Sequence, residues 1–225
     1  MWLINSTIGR KVVMSVTGVA LILFLTFHMS MNVVVLFSGE AYNMICGALG
    51  AHWYAVVATL GLAALAVLHI VYAFWLTMQN RAARGSERYA VVAKPAGVEW
   101  ASQNMLVLGI IVLVGLLLHF WNFWYNMMFA ELVGFEGVCK PADGYGWIQQ
   151  TFSNPLFVVL YIVWLVVLWF HLTHGFWSAM QTFGWNGKVW FNRWKVIGQV
   201  YSTLLILGFL VVVVVFAVKN LCGCC

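Results

Sequence analysis

Residues 154–175 read NPLFVVLYIVWLVVLWFHLTHG, an almost wholly apolar run that ends in two histidines three positions apart. A helix of about 20 residues crosses the hydrocarbon core of a bilayer. Ionisable side chains inside such a helix are costly, and each one is by default a candidate functional residue. The stretch therefore predicts a transmembrane helix in which His171 or His174 has a functional role.

Similar apolar stretches extend over most of the chain. Hydrophobic residues make up 64% of the sequence and charged residues only 8%, where a soluble protein has about 25% charged residues. The first stretch is too long and too polar at its flanks for a cleavable signal peptide. We predict one domain over 1–225, an all-α integral membrane protein. Its five transmembrane helices are predicted at 12–37, 53–79, 100–129, 155–183 and 194–219.

The basic residues predict the orientation of these helices. They concentrate before the first helix and in the loops that follow the second and fourth helices: Arg10, Lys11, Arg81, Arg84, Arg88, Lys94, Lys188, Arg193 and Lys195. The positive-inside bias makes that side cytoplasmic, so the N-terminus is predicted inside and the C-terminus outside. Acidic residues (Glu40, Glu131, Glu136 and Asp143) occupy the opposite loops, and 131–154 is expected to form a cap there. The net charge of +5 reflects this topology and gives no reason to expect nucleic acid as a partner.

Four histidines lie at two depths in the predicted bundle. At about 1.5 Å per residue, His28 and His119 lie about 25 and 30 Å from the inner ends of their helices. On the same scale His69 lies about 14 Å from the inner end of the second helix, and His171 about 24 Å below the outer end of the fourth. The first four helices thus contribute one histidine each, two at an outer level and two at an inner level. Such pairs across a bundle are a common way to hold a cofactor.

The chemistry of these pairs favours haem over other ligands. Zinc prefers three or four clustered nitrogen, oxygen or sulfur ligands, and a proton relay favours buried carboxylates, which the four helices lack around these histidines. A b-type haem needs only two facing imidazoles and polar groups for its propionates. The spacing favours two haems, while one haem or none remains open.

Small residues share helix faces with three of the histidines. They leave room for a macrocycle, or they let helices pack closely. Arg10 lies on the same stripe of the first helix as His28, where it is a candidate partner of a haem propionate or a marker of the membrane boundary. The small residues are Ala66 and Ala73 beside His69, Gly115 beside His119, and Gly175 and Ser178 beside His171.

Two blocks of the sequence carry a family resemblance. STIGRKVVMSVTGVALILFLTFHMSMN (6–32), with its pattern S-x-x-G-R-K…S-x-T-G…H, resembles the start of the five-helix cytochrome b subunit of succinate dehydrogenases and quinol:fumarate reductases. FHLTHGFWSAMQTFGWN (170–186) resembles the fourth helix of that family. The resemblance extends over nearly the whole chain, including the number of helices and the order of the four histidines.

The resemblance implies a membrane anchor with two haem b groups and a menaquinone site. Carried residue by residue, it implies that His28 and His119 ligate the outer haem, and that His69 and His171 ligate the inner one. It places the fourth-helix ligand four residues before Gly175, so His171 and not His174 is the expected ligand. It also implies a multi-pass location in the cell (inner) membrane and a flavoprotein and an iron–sulfur subunit on the cytoplasmic face. A dimer of such heterotrimers is left open.

Further polar residues are candidates for contact with a haem propionate or with quinone. Some family members that oxidise menaquinol have an important glutamate near the outer end of the second helix. The corresponding segment NMICGALGAHW (43–53) has no carboxylate. Glu40 precedes it as a solvated charge or proton acceptor, and His52 begins the helix at the surface. The full set of these candidates is Arg10, Ser15, Glu40, His52 and His174.

The expected function is electron transfer between menaquinone and the partner subunits of a fumarate reductase or succinate dehydrogenase complex. In such a complex this chain is a non-catalytic subunit without the dicarboxylate site. One alternative is the haem b anchor of a formate dehydrogenase or hydrogenase. A transporter with functional histidines is another, although the sequence lacks the Gly- or Pro-broken helix pair and the buried acidic residues typical of that class.

Overall fold

The computed structural model describes residues 6–84, 100–135 and 137–222, and in these residues the only regular structure is helical. Five of the helices are long and apolar enough to cross a membrane, as predicted. In chain order the elements are α1 (Thr7–Val33) with a 3-10 turn (Val34–Leu36), α2 (Gly39–Ala48), α3 (Trp53–Arg84), α4 (Trp100–Gln103), α5 (Met105–His119) continued by a π-helical segment (Phe120–Phe129), α6 (Ala130–Val133), α7 (Gly144–Phe152), α8 (Pro155–Thr182) and α9 (Trp190–Leu221). Arg88, Lys94 and Glu136, which entered the orientation argument, lie outside the described residues.

Local capping sets where the long helices begin. The Ser6 hydroxyl accepts a hydrogen bond from the Gly9 amide at 2.9 Å, so α1 begins five residues before the predicted position 12 and includes Arg10. Asn154 caps α8 in the same way, and Pro155 occupies the first turn. Free amide groups at a helix start favour such side-chain acceptors, and proline needs no partner there. The polar residues at the start of such a segment therefore belong to the helix, although a prediction from hydropathy alone leaves them out.

The third spanning segment is interrupted, whereas the sequence predicted one continuous helix over 100–129. A turn at Asn104 separates α4 from α5, and the backbone widens into the π-helical segment directly after His119. Within that segment the Asn126 side-chain amide donates to the carbonyls of Trp121 at 2.9 Å and Asn122 at 3.1 Å. The side chain thus satisfies backbone acceptors in the widened turns. Segments of π-helix occur often at functional sites.

Four of the long helices surround a central space. Helix α1 packs against α3 and α8, and α5 packs against α8. Between α3 and α5 the contact is slight, and among the described residues the opposite pairs α1/α5 and α3/α8 have at most marginal backbone contact. The order around the bundle is therefore α1, α3, α5, α8, with α1 facing α5 and α3 facing α8 across the middle.

Helix α9 supports this arrangement from one side. It has its most extensive contact with α8 and also packs against α1, and its buried residues include Ser202, Leu205, Ile206 and Phe216. Two of its glycines lie close to neighbouring side chains: a Cβ at Gly198 would meet Phe176, and one at Gly208 would meet Met29. The fifth helix therefore has a packing role.

The bundle has two chemically different ends. The start of α1 meets the end of α3, where the Arg10 guanidinium donates to the Gln79 carbonyl oxygen at 2.6 Å. We call this the basic end, because Lys11, Arg81, Lys188 and Arg193 are exposed there. The opposite end, which we call the cap end, is covered by α2 and α7. There Asn43 donates to the Asp143 carboxylate at 2.8 Å and accepts from the Tyr145 amide at 2.8 Å.

Candidate functional site: two histidine pairs

The structure brings the four intramembrane histidines together as two pairs. The rings of His28 and His119 have centroids 5.7 Å apart and planes at 83°. The rings of His69 and His171 have centroids 6.4 Å apart and planes at 69°. The first pair lies toward the cap end and the second toward the basic end. These are the pairs and the two levels that helix spacing predicted.

Each pair joins helices that face each other diagonally. His28 on α1 meets His119 on α5, and His69 on α3 meets His171 on α8, although these helices have little backbone contact. All four rings are only half-buried. Imidazoles that meet across a gap between separated helices are the arrangement expected where a flat ligand lies between them.

The spacing within each pair fits bis-histidine haem ligation. A metal–imidazole nitrogen bond is about 2 Å long, so two imidazoles on one iron place their ring centroids about 6 Å apart. In the described part of the chain no three His, Cys, Asp or Glu residues gather into a metal-binding group. Two imidazoles alone are a poor zinc site, whereas a haem iron takes its remaining ligands from the porphyrin. The residues present therefore fit haem, which would be held by His28 with His119 and by His69 with His171.

His171 and His174 have different surroundings. His171 faces His69, with ring centroids 6.4 Å apart. The His174 ring instead packs edge-on against Trp177, with centroids 4.9 Å apart. Of the two, His171 is the one whose ring lies against the ring of another intramembrane histidine. The geometry therefore supports His171 as the residue of the pair, while His174 packs one turn further along α8.

Aromatic side chains enclose the pair at the cap end. Phe123 and Trp164 lie beside His119, with ring centroids at 5.2 and 5.9 Å. Phe24 and Phe209 lie beside His28, at 5.6 and 5.7 Å. Such a shell excludes water and lowers the local dielectric constant around any bound cofactor.

Gly115 serves helix packing. A Cβ at this position would overlap the Trp164 indole, whose Nε1 donates to the Val112 carbonyl at 3.0 Å. Small neighbours of the histidines were expected either to leave room for a macrocycle or to let helices pack closely. Gly115 has the second role, because it lets α5 and α8 approach closely. Gly175 differs, because a Cβ at that position would have no neighbouring atom within 4 Å in the described part of the chain.

The other candidate residues lie at different places in the bundle. Glu40 is exposed in the first turn of α2, and His52 is exposed and stacked on Tyr54 with centroids 5.5 Å apart. The Arg10 guanidinium lies 4.6 Å from the centroid of the Trp75 ring, so it joins α1 to α3 at the basic end. Ser15 is buried on α1. The structure does not gather these residues into one site.

A polar cavity near the cap-end pair was missed by the sequence. Its volume is about 480 Å³, within the range of small-molecule sites. The buried Asn122 amide donates to the Tyr161 hydroxyl at 3.3 Å, and the Tyr161 ring lies 6.4 Å from His119. The lining residues are Asn122, Asn126, Trp147, Gln150, Thr151, Ser153, Asn154, Pro155 and Phe157. They come from three elements, so hydropathy along the chain carries no signal of the cavity.

A short polar chain reaches the cap-end pair from the cap. The Tyr42 hydroxyl donates to the Asn32 side chain at 3.0 Å, and Asn32 donates to the His28 carbonyl at 2.8 Å. Nearby, burial raises the pKa of the Cys46 thiol to about 11 and also raises the pKa of Tyr42. Cys46 is therefore a neutral thiol near pH 7. The contact between Asn32 and His28 could have been predicted from the sequence, because Asn32 lies four residues after His28 and therefore on the same face of α1.

No protein family model, no curated protein and no solved structure matches this chain. These comparisons do not identify the family that segments 6–32 and 170–186 resemble. A functional assignment has to rest on the paired histidines and their surroundings.

Proposed function

We propose that this chain is a di-haem cytochrome b membrane anchor. It passes electrons between menaquinone or menaquinol and the iron–sulfur and flavoprotein subunits of a fumarate reductase or succinate dehydrogenase complex. The observation that carries the proposal is the meeting of His28 with His119 and of His69 with His171 across the two diagonals of one bundle. The sequence resemblance supplies the class of complex.

The protein contributes ligands, orientation and a dry surrounding. Haem b, when bound, supplies a one-electron carrier at each level of the bundle. The four imidazoles would hold the two haem groups, two imidazoles for each group. The Phe and Trp side chains around His28 and His119 exclude water, which limits competing reactions at the metal. Placement at two levels gives a path from the cap end to the basic end.

The basic end is the proposed docking face for the soluble subunits. Lys11, Arg81, Lys188 and Arg193 are exposed there, and such a cluster also attracts anionic lipid. The inner pair, His69 and His171, is the one nearer to this face. In this assignment the flavoprotein and iron–sulfur subunits carry the dicarboxylate chemistry. A haem b anchor of this kind could also belong to a formate dehydrogenase or a hydrogenase. The proteins that copurify with the chain would distinguish these complexes.

Haem stoichiometry tests the proposal directly. We expect the purified chain to contain two haem b groups, measured by the pyridine haemochrome assay against protein concentration, because each diagonal pair offers two axial ligands. A reproducible value near one would remove one pair from the proposal. A chain without b-type absorption bands would contradict the cytochrome and favour the transporter alternative.

The quinone is proposed to react at the cap end. Quinol oxidation releases protons together with electrons, so its site needs a nearby electron acceptor and a hydrogen-bonding proton acceptor. The amide-lined cavity supports this end, since it adjoins His119 through Asn122 and Tyr161. Glu40 and His52 are exposed proton acceptors at the same end.

Replacing Asn122 by Leu is expected to lower the rate of menaquinol-driven haem reduction about tenfold, the effect of losing one hydrogen bond of about 1.4 kcal/mol. Haem content is measured in the same samples, so that loss of cofactor is separated from loss of quinol reactivity. Glu40→Gln and His52→Ala are tested separately as proton acceptors. Wild-type rates in all three haem-replete variants would contradict quinol oxidation at the cap end.

A further inference from the structure

The inner pair has a hydrogen-bond partner from a neighbouring helix. The Thr17 Oγ1 atom on α1 lies 3.2 Å from Nδ1 of His69 on α3. Thr17 is 4% exposed, so this bond forms inside the packed contact between α1 and α3. It links two of the helices that surround the central space.

The surroundings of the Thr17 hydroxyl set the direction of this bond. The hydroxyl donates to carbonyls of its own helix, those of Val13 at 2.9 Å and Met14 at 3.1 Å. Its single proton is thus used within α1, and its oxygen accepts from the imidazole. This bond therefore requires the proton of neutral His69 to lie on Nδ1.

This tautomer is the one that prepares His69 to bind a metal. With the proton on Nδ1, the Nε2 atom on the other side of the ring keeps its lone pair. Metal-binding histidines usually donate their second ring N–H to such an acceptor, which fixes the orientation of the ring and increases the basicity of the ligand. The Thr17 bond supplies that function for His69.

Gly18 leaves space for the His69 ring. A Cβ at Gly18 would lie 3.3 Å from Cε1 of His69 and 3.7 Å from its Nδ1. The imidazole therefore lies directly against the backbone of α1, in space that a side chain would enter. Thr17 supplies the hydrogen bond, and Gly18 supplies the space that the ring occupies. These two contacts give the T-G of the S-x-T-G motif (15–18) a physical role.

An ordinary structural role for Thr17 would require only a hydrogen bond to its own helix. Threonines in membrane helices often bond back to their own helix, and Thr77 does so to the Ala73 carbonyl at 2.8 Å. Thr17 makes that bond and in addition contacts one ring of a histidine pair. We propose that Thr17 is a positioning residue that fixes the tautomer and orientation of His69 for binding the inner haem. This inference rests on the proposed haem function.

The test compares Thr17→Val with Thr17→Ser in the full-length chain, with Thr77→Val as the matched control. Valine keeps the shape of threonine without the hydroxyl, and serine keeps the hydroxyl. The measurements are the rate at which the inner haem transfers to excess apomyoglobin and the low-spin electron paramagnetic resonance signal of that haem. The inner haem is identified as the signal lost in His171→Ala.

We expect Thr17→Val to release the inner haem about tenfold faster and to shift its resonance signal. Tenfold is the lower end of the usual effect of removing such a partner. Thr17→Ser and Thr77→Val should match the wild type. A two-haem Thr17→Val chain with wild-type release rate and signal would overturn the role of Thr17 and leave the haem proposal intact.

A wild-type chain without haem would overturn the proposed function instead. In that chain, nitrogen-15 resonances of labelled histidine still report the tautomer of His69, assigned by its loss in His69→Gln. Protonation at Nδ1 in the wild type and a mixture of tautomers in Thr17→Val would support the hydrogen-bond role of Thr17. Equal populations in the two proteins would contradict it.

Discussion

If the chain holds the two proposed haems, replacing His171 by Ala is expected to remove one of them entirely, while replacing His174 by Ala leaves both in place. The two residues lie one turn apart on α8, yet only His171 faces the ring of another histidine across the bundle, with centroids 6.4 Å apart. An iron held by this pair would lose one of its two protein ligands when one imidazole is removed. Truncation also opens a cavity beside His69, which adds a packing cost.

His174→Ala is the matched control for this change. It removes the same side chain from the same helix, but the ring it removes packs against Trp177. Haem content by pyridine haemochrome and the reduced-minus-oxidised spectrum are measured for both variants. Retention of two haems in His171→Ala, together with loss of one in His174→Ala, would show that His174 is the ligand.

Replacing Gly115 by Ala is expected to destabilise the chain by about 1–3 kcal/mol, the usual cost of overpacking. A Cβ at this position overlaps the Trp164 indole, and the indole cannot retreat without losing its hydrogen bond to the Val112 carbonyl. The Trp164 ring also lies 5.9 Å from His119, so its displacement disturbs the pair at the cap end. We therefore expect a lower melting temperature and weaker retention of the haem proposed for the cap-end pair.

Gly61→Ala is the control for the intrinsic effect of alanine in a helix. Gly61 lies in α3, and a Cβ there would have no neighbouring atom within 4 Å in the described residues. Alanine favours an α-helix by up to about 1 kcal/mol relative to glycine, so this variant should be as stable as the wild type or more stable. Thermal denaturation in detergent compares the two. Equal melting temperatures for Gly115→Ala and Gly61→Ala would contradict tight packing at Gly115.

The sequence predicted the helices better than their ends. Long apolar runs predicted five membrane-spanning helices, and all five are present, because an apolar run of that length has no other favourable environment. The first and last begin earlier than predicted, at Thr7 and Trp190. The break at Asn104 and the π-helical segment after His119 were not predicted, because they depend on side-chain hydrogen bonds that hydropathy does not measure.

Counting residues along the helices was enough to predict which histidines meet. A regular rise of about 1.5 Å per residue, applied to helices that alternate in direction along the chain, placed His28 level with His119 and His69 level with His171. The structure has both pairs. This part was predictable because depth along a straight helix depends only on the number of residues from a membrane boundary.

The surroundings of each pair depend instead on how the helices pack against one another. The spacing of residues along a helix leaves the rotation and separation of neighbouring helices undetermined. These decide whether a small residue leaves space for a histidine ring or lets the side chain of another helix pack against it. Gly115 contacts Trp164, whereas Gly18 makes room for His69, although both are glycines in apolar helices. The bond from Thr17 to His69 joins residues far apart in the chain. Such contacts depend on how two helix surfaces fit together, which the pattern along either helix does not contain.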